Sequence, residues 1–446
     1  MKLSKIIILL SLLSNPAFGQ TPQIVGYRND LIVLKKALEE KYPSLYRFKS
    51  KASINKLLDG CIHRIDSNTS EMDFYKTLKL ILSNIEDGHL SCSPPDGLLK
   101  QIDEKDRHFP LSLYFTGNKT YVDCSNVSDF PSGTEIMEIN GIKISEIRKE
   151  LFKYIVSDGR IETKKYWILN HSFWFYFSLV YGQHKEYRIT YKNSNGQLLK
   201  KTVNAALEKD INCKSLTSQD NDKPADLKFV DRHIALLTIK TFANNDLQNS
   251  GIDFAGFMDS AFKTINTRET RSLIIDLRGN GGGRDTYGSL LYSYLSGTPF
   301  RYYQQLETCT TILSENEHPN LSLQQPGNNY FGGKVYILIN GLSYSAASEF
   351  CTVVKNNNRA VFIGEETGGT YCGNTSGSFI KTVLPYSTFT VSTPTTKYTM
   401  FTTDKTNTDR GIIPDYGIKP TIEDLMNRED VQLKKAIELA EKDNRR

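Results

Sequence analysis

The run Val335-Tyr-Ile-Leu-Ile-Asn-Gly-Leu-Ser-Tyr-Ser-Ala-Ala-Ser-Glu-Phe350 constrains this chain more than any other stretch. Val335 to Asn340 is short, apolar and rich in β-branched residues, the pattern of a strand buried on both faces. Ala346, Ala347, Phe350, Val353 and Val354 then fall at helical spacing, and Asn356-Asn-Asn358 ends the pattern. Ser345 is therefore expected in the first turn of a helix, where free N–H groups and the positive dipole end favour negative charge. Ala346 is small enough to leave room for a carbonyl, and its N–H can help to hold an oxyanion. Most serines at such a junction only cap the helix. The segment alone leaves cap and nucleophile both open.

A second segment narrows the choice. Arg271-Ser-Leu-Ile-Ile-Asp-Leu-Arg-Gly-Asn-Gly-Gly-Gly283 reads as another buried strand, Leu273 to Leu277, running into a glycine-rich turn. Successive glycines allow positive φ and close approach, and consecutive N–H groups can form an anion nest. The spacing fits neither a dinucleotide fingerprint nor a P-loop, since no G-x-G-x-x-G and no Gly-Lys-Ser/Thr is present.

Four motifs in order carry a family resemblance: Asp276-Leu-Arg-Gly-Asn-Gly-Gly-Gly283, Ser343-Tyr-Ser-Ala-Ala-Ser-Glu349, Ile363-Gly-Glu-Glu-Thr-Gly-Gly369 and Gly411-Ile-Ile-Pro-Asp415. Over roughly residues 225 to 425 the chain resembles the carboxy-terminal processing (tail-specific) serine peptidases, a family that includes the tricorn core. The resemblance implies an α/β core of crotonase/ClpP-like architecture. It puts Ser345 at the nucleophile position and Gly281, Gly282 and Ala346 in the oxyanion hole. The processing branch uses a lysine base in Gly-Glu-Pro-Thr-x-Gly-Lys. Here the matching run is Gly364-Glu-Glu-Thr-Gly-Gly-Thr370, so Thr370 stands in the lysine's place. Lys355 lies about 15 Å away along the expected helix, too far to substitute.

Histidine is the usual alternative base, because its pKa lies near neutrality. Of seven histidines, His89 has the most telling setting, in Ile85-Glu-Asp-Gly-His-Leu-Ser91. It follows a helical apolar pattern (Phe74, Leu78, Leu80, Ile81, Ile85), just past Gly88, a residue expected to stop that helix. The resemblance points to the same place: in the tricorn-like branch, which lacks the lysine, a histidine from the N-terminal region completes the site. That branch sets an acid just before its Gly-Val-x-Pro-Asp motif. Asp409 is the first candidate here and Asp404 the second, although the family acid is commonly glutamate and the spacing differs by about one residue.

Residues 1–19 read as a secretory leader: Lys2 and Lys5, an apolar run from Ile6 to Leu13, and Ala17-Phe-Gly19 at cleavage-like spacing. The run is shorter than the roughly 20 residues a membrane span needs. An exported, soluble protein is expected, periplasmic or secreted. The formal charge of +5 becomes +3 without Lys2 and Lys5, which gives no electrostatic case for nucleic acid. Seven cysteines occur with no C-x-x-C, so no metal site is expected, while export permits a disulfide.

The expected organisation is a helical region over 22–100, a PDZ-like domain over 105–205, a peptidase core over 225–425 and a closing helix over 428–446. The PDZ resemblance rests on Pro131 to Ile144, where a strand ends in Asn140-Gly141, and on the usual domain order of the family. An aromatic-rich insertion from Ile161 to Tyr181 departs from a plain PDZ pattern and reads mainly as core. The whole implies a serine peptidase that hydrolyses peptide bonds of polypeptide substrates with Ser345, His89 and Asp409, without cofactor. Two rivals are a non-catalytic apolar-ligand or peptide-binding protein on the same fold, and an esterase. The Gly-x-Ser-x-Gly elbow of the latter is absent.

Overall fold

The computed structural model describes residues 22–193, 195–211, 213–217, 223–404, 406 and 408–445. The expected leader lies outside these residues. The chain folds as a mixed α/β protein of several parts. Its central sheet has the strand order Ala225–Phe229, Ile234–Ile239, Ser272–Asp276, Lys334–Ile339, Val361–Gly364, Tyr416–Gly417. The first pair is antiparallel and the others are parallel.

Alternation along these strands sends side chains to two faces. Leu273, Ile275, Val335, Ile337 and Ile339 pack against Met258 and Phe262 of helix Phe254–Thr267, and against Phe350 and Val354 of helix Ala346–Asn356. Ile274, Tyr336, Leu338 and Ile363 face the other way, onto Ala436 and Ala440 of helix Val431–Asn444. The parallel register sets Ile274 beside Tyr336 and Ile275 beside Ile337, so each face stays continuous. Strand Ser272–Asp276 is buried at all its residues, which explains its unbroken apolar run.

Helices Pro22–Lys41, Lys51–Arg64 and Glu71–Ile85 precede this core. Ser70 and Asp73 form a capping box at the start of the third. That helix stops not at Gly88 but at Glu86, which takes a left-handed conformation with φ 64°. Glu86 is held there by Lys49 at 2.7 Å and by the Gly159 N–H, 2.8 Å from its carbonyl. An antiparallel sheet follows, in the order Ser112–Thr116, Lys119–Cys124, Glu135–Ile139, Glu186–Lys192, Leu198–Asn204. Helix Thr163–Tyr181 lies along its first strand, and Asn170 Oδ1 accepts the Phe115 N–H at 2.8 Å. Phe173, Tyr176 and Phe177 of that helix are buried in the hydrophobic core shared with the N-terminal helices.

Beyond the core sheet, Thr375–Val383 and Thr390–Met400 form a long hairpin. Strand Ser91–Ser93 pairs antiparallel with Thr390 to Ser392. A disulfide joins Cys124 to Cys213 across 89 positions of sequence. Among the described residues, no helix is long and apolar enough to cross a membrane. Closing a loop of this length restricts the unfolded chain, so the Cys124→Ser/Cys213→Ser variant should lose about 2–5 kcal/mol in chemical denaturation. An unchanged midpoint would show that the bridge contributes nothing.

Candidate active site

Ser345 stands where strand Lys334–Ile339 has ended and helix Ala346–Asn356 begins. Its φ of 53° and ψ of −128° are those of a sharp turn that residues with a Cβ seldom adopt. The side chain does not cap the helix. Among the described residues, Ser345 Oγ makes no hydrogen bond, whereas neighbouring serines are spent on structure. Ser343 Oγ donates to the Leu277 carbonyl at 2.9 Å, and Ser348 Oγ donates to the Ser345 carbonyl at 2.8 Å.

The glycine turn is built around this serine. Asn280 is its hinge: Tyr344 N–H donates to the Asn280 carbonyl at 3.0 Å, and Gly282 N–H donates to Asn280 Oδ1 at 2.9 Å. Gly282 has φ 97°, and a Cβ there would meet Ser345 Cβ at 2.6 Å and the Tyr344 carbonyl at 2.8 Å. Since its N–H is taken by Asn280, Gly282 gives the site close approach rather than a free donor. Among the described residues, the N–H groups of Gly281 and Ala346 find no acceptor.

His89 comes from the other side, on the segment between helix Glu71–Ile85 and strand Ser91–Ser93. Its Nδ1 lies 2.6 Å from the hydroxyl of Tyr344, the residue before the serine. The two rings stack with centroids 4.6 Å apart. His89 Nε2 is buried and, among the described residues, has no partner. Two carboxylates flank the ring. Asp87 Oδ1 accepts the His89 N–H at 2.8 Å, and Asp87 Oδ2 accepts from the Tyr42 hydroxyl. Asp158 Oδ1 accepts the Gly88 N–H at 2.7 Å and lies 3.2 Å from the Tyr344 hydroxyl.

Burial works against the charge of both acids. For Asp87 the hydrogen bonds from His89 and Tyr42 outweigh it and hold the pKa below the usual carboxylate range. For Asp158 burial and the charge of Asp87 prevail and push the pKa up. Lys164, from helix Thr163–Tyr181, completes the group: its Nζ donates to the Gly88 carbonyl at 3.1 Å and lies 3.2 Å from the Tyr344 ring centroid. Burial lowers this lysine to about 8, against the pull of Asp158 and Asp87. Ligand atoms of Asp87, His89 and Asp158 lie within 4.8 Å of one another, a spacing that could hold a divalent cation. The positive charge of Lys164 works against one there.

Asp409 packs against Gly159 and Arg160. Arg160 takes its carboxylate, with Nη2 to Oδ1 at 3.1 Å, and Arg160 N–H donates to its carbonyl at 2.9 Å. Asp404 is exposed and accepts from Thr406 N–H at 2.8 Å. Thr370, in the lysine's place, donates its hydroxyl to the Gly373 carbonyl, and Lys355 is paired with Asp415 at 2.6 Å.

Residues 233–419 match the model of Peptidase family S41. This is a serine-type peptidase. The match takes in Ser345 and its glycine turn but begins well after His89, Asp158 and Lys164. Among solved structures, mature CPAF complexed with lactacystin is similar over 94% of this chain and 97% of its own, with 15% identity and a TM-score of 0.66. Mature CPAF alone is similar over 94% and 96%, with 13% identity and a TM-score of 0.66. The peptidase therefore shares a fold with CPAF through its N-terminal and inserted parts as well as its core. The photosystem II D1 C-terminal processing protease is matched over 88% of this chain and 93% of its own, at 14% identity and a TM-score of 0.43.

One turn beyond Ser345, the peptidase buries a third acid. Glu349 accepts from Asn374 Nδ2 at 2.6 Å, and the Tyr303 hydroxyl lies 2.6 Å from its other oxygen and 2.9 Å from Asp285 Oδ2. Burial, with the charge of Asp285 added, pushes Glu349 up to about 7. A protonated Glu349 donates to the phenol oxygen, which frees the phenol proton for Asp285.

Two outcomes follow from this geometry. Gly282→Ala should cost about 2–4 kcal/mol in thermal or chemical unfolding, because its Cβ has no space and φ is positive. Wild-type stability there would refute the contact. For Glu349 the folded value exceeds the ordinary 4.5, so its contribution is full below that pH and is lost as pH rises toward about 7. Glu349→Gln keeps the Tyr303 and Asn374 bonds and should flatten that decline, measured as unfolding free energy against pH.

Proposed function

We propose that this peptidase is exported and hydrolyses peptide bonds of polypeptide substrates, with Ser345 as nucleophile and His89 as general base. One observation carries the reading: a serine hydroxyl in a strained turn, without a partner among the described residues, follows directly on the tyrosine that touches a histidine whose buried Nε2 likewise has none among them. In the reaction, Ser345 Oγ attacks the peptide carbonyl and its proton passes to His89 Nε2. The N–H groups of Gly281 and Ala346 face the developing oxyanion. The proton then goes to the leaving amine as the C–N bond breaks. Water, activated by the same nitrogen, releases the acyl group.

The core is of the crotonase/ClpP-like kind, in the tricorn-like branch that does without the lysine. Thr370 and the engaged Lys355 support that assignment. Asp409 has an indirect part, since by holding Arg160 it fixes the segment that carries Asp158. The antiparallel sheet is PDZ-like. Its first strand, Ser112–Thr116, is covered by helix Thr163–Tyr181, whereas Leu198–Asn204 forms the opposite edge with Leu198 and Leu199 exposed. Strand addition by a peptide belongs at that second edge. The disulfide supports export, because such bonds persist in oxidising compartments.

A fluorophosphonate probe on the folded chain, with the adduct mapped by mass spectrometry, tests the reading. One adduct is expected at Ser345, lost in Ser345→Ala, in His89→Ala and on denaturation. Labelling that survives in His89→Ala moves the base elsewhere. No labelling of wild type, beside a reactive control enzyme, favours a binding protein on this fold.

A further inference from the structure

Resting on His89 as the base, we propose that Tyr344 is the positioning residue that fixes the imidazole, relaying its Nδ1–H to the carboxylate of Asp158. A serine triad sets an acid directly on the histidine. Here a phenol stands between them, 2.6 Å from His89 Nδ1 and 3.2 Å from Asp158 Oδ1. The hydroxyl has one proton and faces two acceptor positions, so it can donate to only one. A carboxylate is the stronger acceptor. With the phenol O–H donated to Asp158, the phenol oxygen accepts from Nδ1–H, and Nε2 is left with its lone pair. The opposite arrangement would put the proton on Nε2 and disable the base.

The surroundings favour the first arrangement. Asp87 Oδ1, 3.7 Å from Nδ1, adds negative charge on the Nδ1 side. The stacked rings keep Nδ1 against the hydroxyl. Lys164 lies over the opposite partner of that stack, its Nζ near the Tyr344 ring centroid, where it balances the buried acids. The charged and titratable groups facing His89 and Tyr344 are thus Asp87, Asp158, Lys164 and Tyr42. Tyr344 immediately precedes the nucleophile, so the group that orients the base shares a backbone with the group the base activates.

The test uses the full-length chain and the fluorophosphonate probe. Tyr344→Phe keeps ring and stacking but lacks the hydroxyl. Its second-order rate of Ser345 labelling should fall about 10- to 100-fold, the range typical of lost orienting partners. Asp158→Asn should fall similarly, and the double variant little further, as expected of groups acting through one another. In 15N NMR of labelled histidine, the His89 ring should leave the Nδ1–H tautomer in Tyr344→Phe, a change that loss of packing alone would not produce. Wild-type labelling and an unchanged tautomer in both single variants overturn the relay while leaving His89 as base. Unimpaired labelling of His89→Ala overturns the base assignment itself, and the relay with it. Should Tyr344→Phe fail to fold, Asp158→Asn alone decides by the same two readouts.

Discussion

The close approach of Gly282 to Ser345 and to the backbone on either side of it is the constraint on which the rest of this site depends. A serine at φ 53° is unfavourable by itself, and it persists because the surrounding turns leave it no alternative. The glycine turn after Ser272–Asp276 and the serine turn after Lys334–Ile339 are tied by Ser343 to Leu277, Tyr344 to Asn280, and Gly279 to Asn340. Those ties begin at the carboxyl ends of adjacent parallel strands, the usual place for chemistry in such sheets. Parallel pairing at fixed register delivers both turns to one point, and hydrogen bonds between them hold the serine hydroxyl clear of structural use.

Around that point the chain buries far more charge than a structural core carries. Asp87, Asp158 and Lys164 form one buried group near His89, and Glu349, beside the half-buried Asp285, forms another one turn beyond Ser345. Buried charges are costly unless paired or neutralised. In the His89 group, one lysine and several donors compensate two acids. In the other group Glu349 holds its proton up to about 7, which removes one of two adjacent charges. The two environments thus resolve the same problem by pairing and by protonation.

The serine and the glycine turn could be read from sequence because their signals are local. A strand pattern, a turn and a helix pattern stand side by side in each case. His89 was also visible, since an apolar helical repeat leads up to it, although the stop lies at Glu86 rather than Gly88. What could not be read is what depends on chain crossings. Asp158 and Lys164 lie in unremarkable segments and meet His89 only when helix Thr163–Tyr181 packs against the N-terminal helices. Tyr344 sat inside the most informative motif yet gave no sign of its own, because a tyrosine beside a serine has no spacing to interpret. Asp409 had a motif position in its favour, but Arg160 binds its carboxylate. Gly282 and Gly281 look alike in sequence, yet only Gly282 has a positive φ, no room for a Cβ and an N–H that Asn280 claims.

The ladder between Ser91–Ser93 and Thr390 to Ser392 ties the segment after His89 to the hairpin that follows helix Ala346–Asn356. The hairpin's tip is clamped to the first helix, where Asp30 accepts the Tyr386 and Ser387 N–H groups at 2.9 and 2.8 Å. In mechanical terms the hairpin is a lever: it is anchored on the N-terminal helices, its strand Thr390–Met400 is paired with the segment that follows His89, and its other strand, Thr375–Val383, is largely exposed. A displacement of about 1 Å at a reacting centre can change a rate about 100-fold. Load applied to the exposed strand would therefore reach the His89 segment without touching Ser345.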